Sequence, residues 1–533
     1  MTAQPAQNLA DLKAAAEAVF GKDAVVANRS ERNFYSSDLY QSGDAADLVI
    51  APTSREEVVS LVKFAAKHKL SVFARGGGRS YSNAFLPDRP NAILLDTQRL
   101  NRIRKIDAEN LIATVECGCT WKALDEALSA HGLRSVFWGP ASGAEATIGG
   151  SMSQGTANNQ AGLIETSSNA VTSYEIVTGT GEILNTGLDA QSGRIAHFRP
   201  YGPDLTGLFN ADAGALGLKT AIILKLEPRP GFEGGVSFAF NDFDSLKQAL
   251  HAAGREGLAS AIIAMDSETA GIRSGESGLI ADFKKLLTIV GTAHNPFRGL
   301  WRGVKIALAG RKVFETAAYT AHFLAEGSTD AVLISKERAL RKLVSQHGSE
   351  IPSAAISMMR TALFPDLPTT DFTGRRMIPT HGIAAWGELS PLHNAYTDLI
   401  ESYREKSVSA GITIAEVFSV IGRGAVLFEP VFYWRDSLTE FHTRTHPSSM
   451  PDLAEAYPEN LEARALVEEI KTAIIDLMSQ HGTAHLQIGK LYPFMQERSD
   501  QNTAVLRDLK RALDPHNIIN PGALGLAPES KDV

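Results

Sequence analysis

A helical pattern set between two short apolar runs leads directly into three consecutive glycines, and that junction limits what the chain can become. The stretch is "VIAPTSREEVVSLVKFAAKHKLSVFARGGGRSY", from Val49 to Tyr81. "ADLVIAP" reads as a strand. "TSREEVVSLVKFAAKHKL" reads as a helix, with Ser54 and Glu57 at capping-box spacing and Val58, Leu61, Val62, Ala65 and Ala66 on one face. "SVFA" reads as a second strand. Strand, helix, strand is a βαβ unit, and its strands must run parallel. Gly76, Gly77 and Gly78 therefore leave the end of a parallel strand. A glycine triplet reaches positive φ and lets a ligand approach the main chain closely. Successive amides in such a turn form an anion-binding concavity, to which Arg75 and Arg79 add positive charge. A phosphate or pyrophosphate is the ligand this predicts. Taken alone, the triplet reads equally well as a glycine-rich surface turn. Neither a G-x-x-x-x-G-K-[ST] loop nor a G-x-G-x-x-G opening a helix is present.

Two further loops share this texture. "GPASGAEATIGGSMSQGTANN" (139–159) offers clustered glycines and small hydroxyl residues with almost no charge. "YGPDLTGLFNADAGALGLKTAIILKLEP" (201–228) carries Gly214 and Gly217 ahead of a strand. Three side-chain-poor loops could wrap a long, partly apolar, doubly charged ligand, and FAD has that shape.

At 533 residues the chain has room for two to four domains of ordinary size. A net charge of −8 argues against nucleic acid as a partner. The only cysteines, Cys117 and Cys119, are one residue apart, which excludes a disulfide framework and suits a reducing compartment. The first residues lack the pattern of a secretory signal, and no apolar run is long enough for a membrane helix. A cytoplasmic location is expected. Short strands at "NAILLD", "NRIRKI" and "LIATVECG" and a helix capped by Thr120 and ended at Gly132 complete the first block. Beyond residue 231 the texture changes. "GVSFAFNDFDSLKQALHAAG" reads as strand then helix, 270–350 as mostly helical, and "HGIAAWGELS", "ITIAEVFSVIG" and "AVLFEPVFYW" as strands alternating with helices. The expected fold is α+β, with a second domain built on an antiparallel sheet.

The three loops, in this order and spacing, resemble the FAD-binding domain of the vanillyl-alcohol oxidase/p-cresol methylhydroxylase superfamily over residues 45–230. The tail "LKRALDPHNIINPGALG" is similar to that family's as well. The resemblance implies a two-domain fold: an FAD-binding domain (1–231), a substrate domain (232–498) with a helical basic insertion at about 270–350, and a tail (499–533) returning to the first domain. It implies that Arg75, Gly76, Gly77, Gly78, Arg79, Ser80 and Tyr81 hold the pyrophosphate. Pro140, Ala141, Ser142, Ile148, Gly149, Gly150 and Ser151 would line the cofactor, with Gly155 close by. Gly214, Gly217 and Ile222 would flank the adenine or ribose end, and Asn520 and Pro521 would close the site. Relatives that bind flavin covalently use a histidine where this chain has Arg79, which cannot form that bond. Non-covalent FAD is expected, although His381, His393 and Tyr433 keep attachment through the second domain open.

What the resemblance further implies is an FAD-dependent oxidoreductase that dehydrogenates a hydroxyl-bearing organic substrate by hydride transfer to flavin N5. The substrate would be an aryl, benzylic or other alcohol, or a 2-hydroxy acid, and the acceptor O2, a quinone or a cytochrome. A sugar- or lipid-linked-sugar-oxidising flavoenzyme and a non-catalytic FAD-binding subunit are the alternatives. Such a reaction needs a base for the hydroxyl proton and a group to polarise the oxygen. The candidates are His485 and Lys490 in "GTAHLQIGKLYPF", and Tyr433 with Arg435, which would share a face of an extended segment. His442 and His446 are spaced for a helical metal site but lack further ligands, and no metal is expected. Residues 283–314 hold seven Lys and Arg and no Asp or Glu, interleaved with Phe297, Leu300 and Trp301. They read as a peripheral contact on the inner face of a membrane or a dock for an acidic carrier, against the alternative of a solvated helix or lid. A homo-oligomer is compatible with the sequence.

Overall fold

The structure, a computed structural model, describes residues 9–157, 163–190, 194–199, 201–269, 317–353, 356, 363–364, 369–371, 373–445 and 457–526. It divides into two compact units. Unit 1 comprises Met1–Thr156, Ser167–Pro228 and Leu486–Val533; unit 2 comprises Ala157–Thr166 and Arg229–His485. The basic stretch 283–314, and His446 with it, lies outside the described residues.

Unit 1 holds two sheets. In the first, β2 (Leu48–Ile50), β3 (Ser71–Arg75) and β4 (Ala92–Asp96) run parallel, and β1 (Val25–Val26) pairs antiparallel with β2; the order is β1-β2-β4-β3. The helix joining β2 to β3 spans Arg55–His68 and buries Val58, Leu61, Val62, Phe64 and Ala65. Its start differs from a simple capping box. Ser54 Oγ accepts the Glu57 amide at 3.2 Å, but the Glu57 carboxylate reaches one residue further back, to the Thr53 amide at 2.7 Å. The second sheet is antiparallel, in the order β5 (Ile103–Asp107), β6 (Ile112–Glu116), β10 (Leu218–Pro228), β8 (Val171–Val177), β9 (Ile183–Asn185), with β7 (Leu133–Ser135) also on β10. The apolar run "AIILKL" is central because β10 must bury both of its faces and pair along both of its edges.

Unit 1 takes the chain back at Leu486, earlier than the expected residue 499, because main-chain bonds begin there. The amides of Gln487 and Lys490 donate to the carbonyls of Gln154 and Ser82. The returning helix Asp500–Leu513 then anchors the tail. Lys510, buried, donates from Nζ to the carbonyls of Ala215 and Ile519 and to Asp514 Oδ2, each at 2.7 Å. Asp514 in turn accepts the amides of Ile518 and Ile519.

Unit 2 is one antiparallel sheet with helices. The strands are β11 (Phe232–Phe240), β12 (Ala261–Asp266), β13 (Tyr319–Gly327), β14 (Ser349–Ile351), β15 (Arg376–Pro379), β16 (Gly382–Ala385), β17 (Thr413–Ile421) and β18 (Ala425–Trp434). The order is β14-β11-β13-β12-β17-β18-β15, with β16 also on β18. The expectation of mostly helix over 270–350 fails at β13, which pairs with β11 from Tyr319↔Phe240 to Gly327↔Phe232. Both faces of "YTAHFLAEG" are buried, so its alternation is hidden in composition. The helix Asp330–Val344 follows. Phe243, His393, Tyr396, Phe418 and Phe428 form an aromatic cluster where the helices Phe243–Glu256 and Leu389–Ser409 meet β17 and β18.

Two stability consequences follow from buried charges. Replacing Lys510 with Met leaves the Asp514 carboxylate buried without its cation and should cost about 3–5 kcal/mol, read as a lower thermal midpoint. Asp266, at the end of β12, accepts the Thr269 amide, and burial beside Glu416 raises its pKa to about 6. A carboxyl whose folded pKa is raised loses stability as pH climbs from its ordinary value through the raised one. Asp266→Asn should therefore stabilise the protein at pH 8 by on the order of 2 kcal/mol, with the gain shrinking towards pH 4.5 in a melting series.

Candidate functional site

The glycine turn leaves β3 with its amides uncommitted. Among the described residues, none of the five N–H groups from Gly76 to Ser80 donates to a protein acceptor. The turn is nonetheless partly to fully buried throughout. Buried main-chain donors are almost always paired, so a run of unpaired ones marks a place for an acceptor that the chain does not supply.

The reason for glycine here is a close approach of two main chains. A Cβ on Gly77 would strike the Glu145 carbonyl oxygen, and one on Gly76 would strike Thr147 Oγ1. Gly78 has φ +72°, and a Cβ there would meet the Arg75 guanidinium. The first loop is thus pressed against the 145–147 segment of the second. Arg75 is a strut: its guanidinium lies over the rings of Tyr35 at 5.0 Å and Phe34 at 5.5 Å, beside buried Asp96. Burial pushes the Asp96 carboxyl up, against the pull of Arg75. Arg79 points its Nη2 at Glu145, 3.3 Å away. The Ser80 hydroxyl lies 3.2 Å from that of Ser82, and Tyr81 accepts a bond from Gln487 Nε2 at 3.1 Å.

The second loop uses most of its own polar groups. Pro140 and Ser142 give their carbonyls to the amides of Gly143, Glu145 and Ala146, with Ala141 inside that turn. The amides of Ile148 and Gly149 donate to the carbonyls of Cys119 and Cys117, and Gly150 caps onto Thr147. Ser151 Oγ accepts the Trp121 indole N–H at 2.8 Å. Residues 148–151 therefore offer surface rather than spare donors. Both cysteines are buried and free, with burial pushing each thiol pKa up to about 12.

Gly155 ends the helix Ile148–Gln154 at φ +63°, where a Cβ would press on Ala211 of the third loop. The Ala211 and Ala213 amides donate to the carbonyls of Met152 and Ser153. Asn520 joins the set: its Nδ2 donates to the carbonyls of Ala84 at 2.8 Å and Ala213 at 2.6 Å. Gly214 has φ +68° and open space around it. Gly217 and Ile222 have packing tasks. A Cβ on Gly217 would strike Ile176, and Ile222 is wholly buried between Val115 and Tyr174. The structure thus brings the three loops and Asn520 together within unit 1. Asn520 Oδ1 is buried without a partner among the described residues, and so are two residues that the sequence did not single out, Gln154 at Oε1 and Thr156 at Oγ1. Their signal was slight, two polar side chains flanking Gly155.

The catalytic candidates fare differently. In unit 2, the Ala484 main chain bridges to Ile383, and the next residue, His485, donates from Nδ1 to the His381 carbonyl at 2.7 Å. In the neutral ring, that bond places the lone pair on Nε2. Tyr433 is buried on the sheet face of Ile263, Met265, Ala415, Val417 and Val431. Arg435 does not pair with it. β18 ends at Trp434, and Arg435 is exposed and lies over Tyr457. The guanidinium over Tyr433 is that of Arg375, 5.5 Å from the ring centre, which is bound to Asp371 at 2.7 Å. Lys490, in unit 1, is also committed. Its Nζ donates to the Leu86 carbonyl at 2.8 Å and to Asp88 at 3.1 Å, over the Phe73 ring, and its buried position lowers its pKa. His393 stacks on Phe243 at 3.6 Å and meets Glu416 at 3.1 Å. His442 serves as the N3 residue of a capping box with Thr439. No metal-binding cluster exists among the described residues.

Comparison with known proteins agrees with this geometry. Residues 46–187 match the FAD binding domain family, and 456–524 match the C-terminal domain of FAD linked oxidases. A mitochondrial cytochrome-type D-lactate dehydrogenase of Kluyveromyces lactis is 24% identical over 92% of this chain and 75% of its own length. Alkyldihydroxyacetonephosphate synthase of Trypanosoma brucei is 26% identical over 91% and 74%. The solved structure of 4-ethylphenol oxidase from Gulosibacter chungangensis superposes with a TM-score of 0.72 at 18% identity, covering 99% of both chains. That of p-cresol methylhydroxylase superposes with a TM-score of 0.69 at 17% identity, covering 97% of each. The chain thus carries an FAD binding domain and the C-terminal domain of FAD linked oxidases, on the fold it shares with these two solved structures.

Proposed function

We propose that this protein dehydrogenates an alcohol, removing hydride from the carbinol carbon while His485 takes the hydroxyl proton. The observation that carries the reading is the run of uncommitted amides from Gly76 to Ser80. Five uncommitted N–H donors in one turn suit the two negative charges of a pyrophosphate, and would hold that of FAD. When bound, FAD supplies the two-electron acceptor for the step. The chain supplies the rest. The unpartnered oxygens of Gln154, Thr156 and Asn520 are acceptors for N–H and O–H groups of the same ligand. The His381 carbonyl fixes His485 so that Nε2 receives the proton. The carbinol C–H bond breaks, the O–H proton goes to Nε2, and the substrate leaves as a carbonyl compound.

The substrate class we favour is an aryl, benzylic or other apolar alcohol rather than a small 2-hydroxy acid. The sheet face around Tyr433 is apolar, and Met377 packs against it. The guanidinium over Tyr433, that of Arg375, is already ion-paired with Asp371. The electron acceptor we leave to assay among O2, a quinone and a cytochrome.

Three measurements test this. A panel of aryl alcohols, 2-hydroxy acids and sugars, assayed with an artificial dye, should show turnover with the first group; turnover with 2-hydroxy acids alone overturns the substrate class. His485→Asn should slow flavin reduction by about 10²–10⁴-fold with FAD content unchanged, whereas an unaltered rate removes His485 from the reaction. Acid precipitation should leave the flavin in the supernatant, since Arg79 cannot form the linkage and both thiols are buried and protonated; flavin in the pellet would mean a covalent bond.

A further inference from the structure

In unit 2, β13 adds two polar side chains to the border of an otherwise apolar sheet face. Thr320 pairs across to Met265 and His322 to Ile263, and residues paired in this way share a face. Met265 and Ile263 belong to the apolar cluster that contains Tyr433. Both polar residues are buried, Thr320 at 3% and His322 at 2% exposed. His322 is held from the neighbouring strand β11, where the Ser237 hydroxyl lies 2.9 Å from its Nδ1. Thr320 lacks such support. Its Oγ1 is buried with no hydrogen-bond partner among the described residues.

A buried hydroxyl without a partner is costly, and valine would fill the same space without that cost. A ligand that completes the hydroxyl removes the cost. Threonine both donates and accepts, so it suits a neutral oxygen or hydroxyl. Glu429, paired with Val417 on the same face, adds negative charge there and disfavours an anionic group. Thr320 on β13 and Tyr433 on β18 are three strand spacings apart, roughly 14 Å. A one-ring alcohol is too short to meet both. We propose that Thr320 is a specificity-determining residue, whose hydroxyl bonds a neutral hydroxyl or ether at the far end of an elongated apolar alcohol lying along this face. His322, held by Ser237, walls the same end. The inference rests on the reading that the substrate lies against the face around Tyr433.

The test uses the full-length, flavin-loaded protein and two probes, 4-phenylbenzyl alcohol and its analogue with a hydroxyl at the para position of the far ring. Wild type should favour the hydroxylated probe by about 10-fold in kcat/KM, the size of one neutral hydrogen bond. Thr320→Val should erase that preference by raising KM for the hydroxylated probe, with the plain probe unaffected. Thr320→Ser, which keeps the hydroxyl, should retain the preference. Without substrate, Thr320→Val should melt no earlier than wild type, because the lost hydroxyl has no protein partner. If Thr320→Val does not fold, Thr320→Ala is read for the same loss of preference. A Thr320→Val protein that melts earlier and slows both probes equally would show a hydroxyl serving the fold, and would overturn the inference. So would the same probe preference in wild type and Thr320→Val. A wild-type protein that oxidises neither probe would overturn the reading of this face as the substrate wall, and the inference with it.

Discussion

The contact between the main chain at Gly76–Gly77 and the segment 145–147 governs the rest of unit 1. No residue with a Cβ permits it, because the carbonyl of Glu145 and the hydroxyl of Thr147 fill the space a side chain would take. The contact holds the second loop against the first, and the amides of this turn donate to no acceptor among the described residues. Asn520 and the third loop then attach to a surface already formed. The glycines are therefore needed twice, for the approach of one loop to another and for the exposure of donors to a ligand. Only the second need could be read from the triplet by itself.

Much of unit 1 was legible because its signals are local. A strand, a helix with a Ser54 cap and a second strand each declare themselves within a few residues, and the glycines mark where the second strand ends. Unit 2 was less legible. β13 is buried on both faces, so period-two patterning vanished and the segment passed for part of a helical region. The point at which the chain re-enters unit 1 was misjudged for a similar reason. Gln487 and Lys490 are tied there by main-chain bonds, which residue type does not reveal.

Site residues divide along the same line. Main-chain roles at 76–80 follow from glycine, which has few other uses in such density. Side-chain roles depend on partners far away in sequence. Tyr433 and Arg435 have the spacing of a pair, but the strand stops between them and the guanidinium beside Tyr433 comes from Arg375. Lys490 has the profile of a buried reactive amine, yet its donors are taken by Leu86 and Asp88. His485 differs from these in that a main-chain carbonyl, that of His381, and not a side chain, orients its ring.

The tail deserves a last thought in terms of biosynthesis. Lys510 and Asn520 lock residues 215, 213 and 84, which emerge from the ribosome hundreds of positions earlier. Unit 2 is translated in between, and domains tend to fold as they emerge. The earlier unit must therefore wait, half assembled, until the stretch holding Lys510 and Asn520 has been made. Flavin capture would then follow the synthesis of Lys510 and Asn520, and a chain halted between the end of unit 2 and these residues would hold one finished unit and one still open.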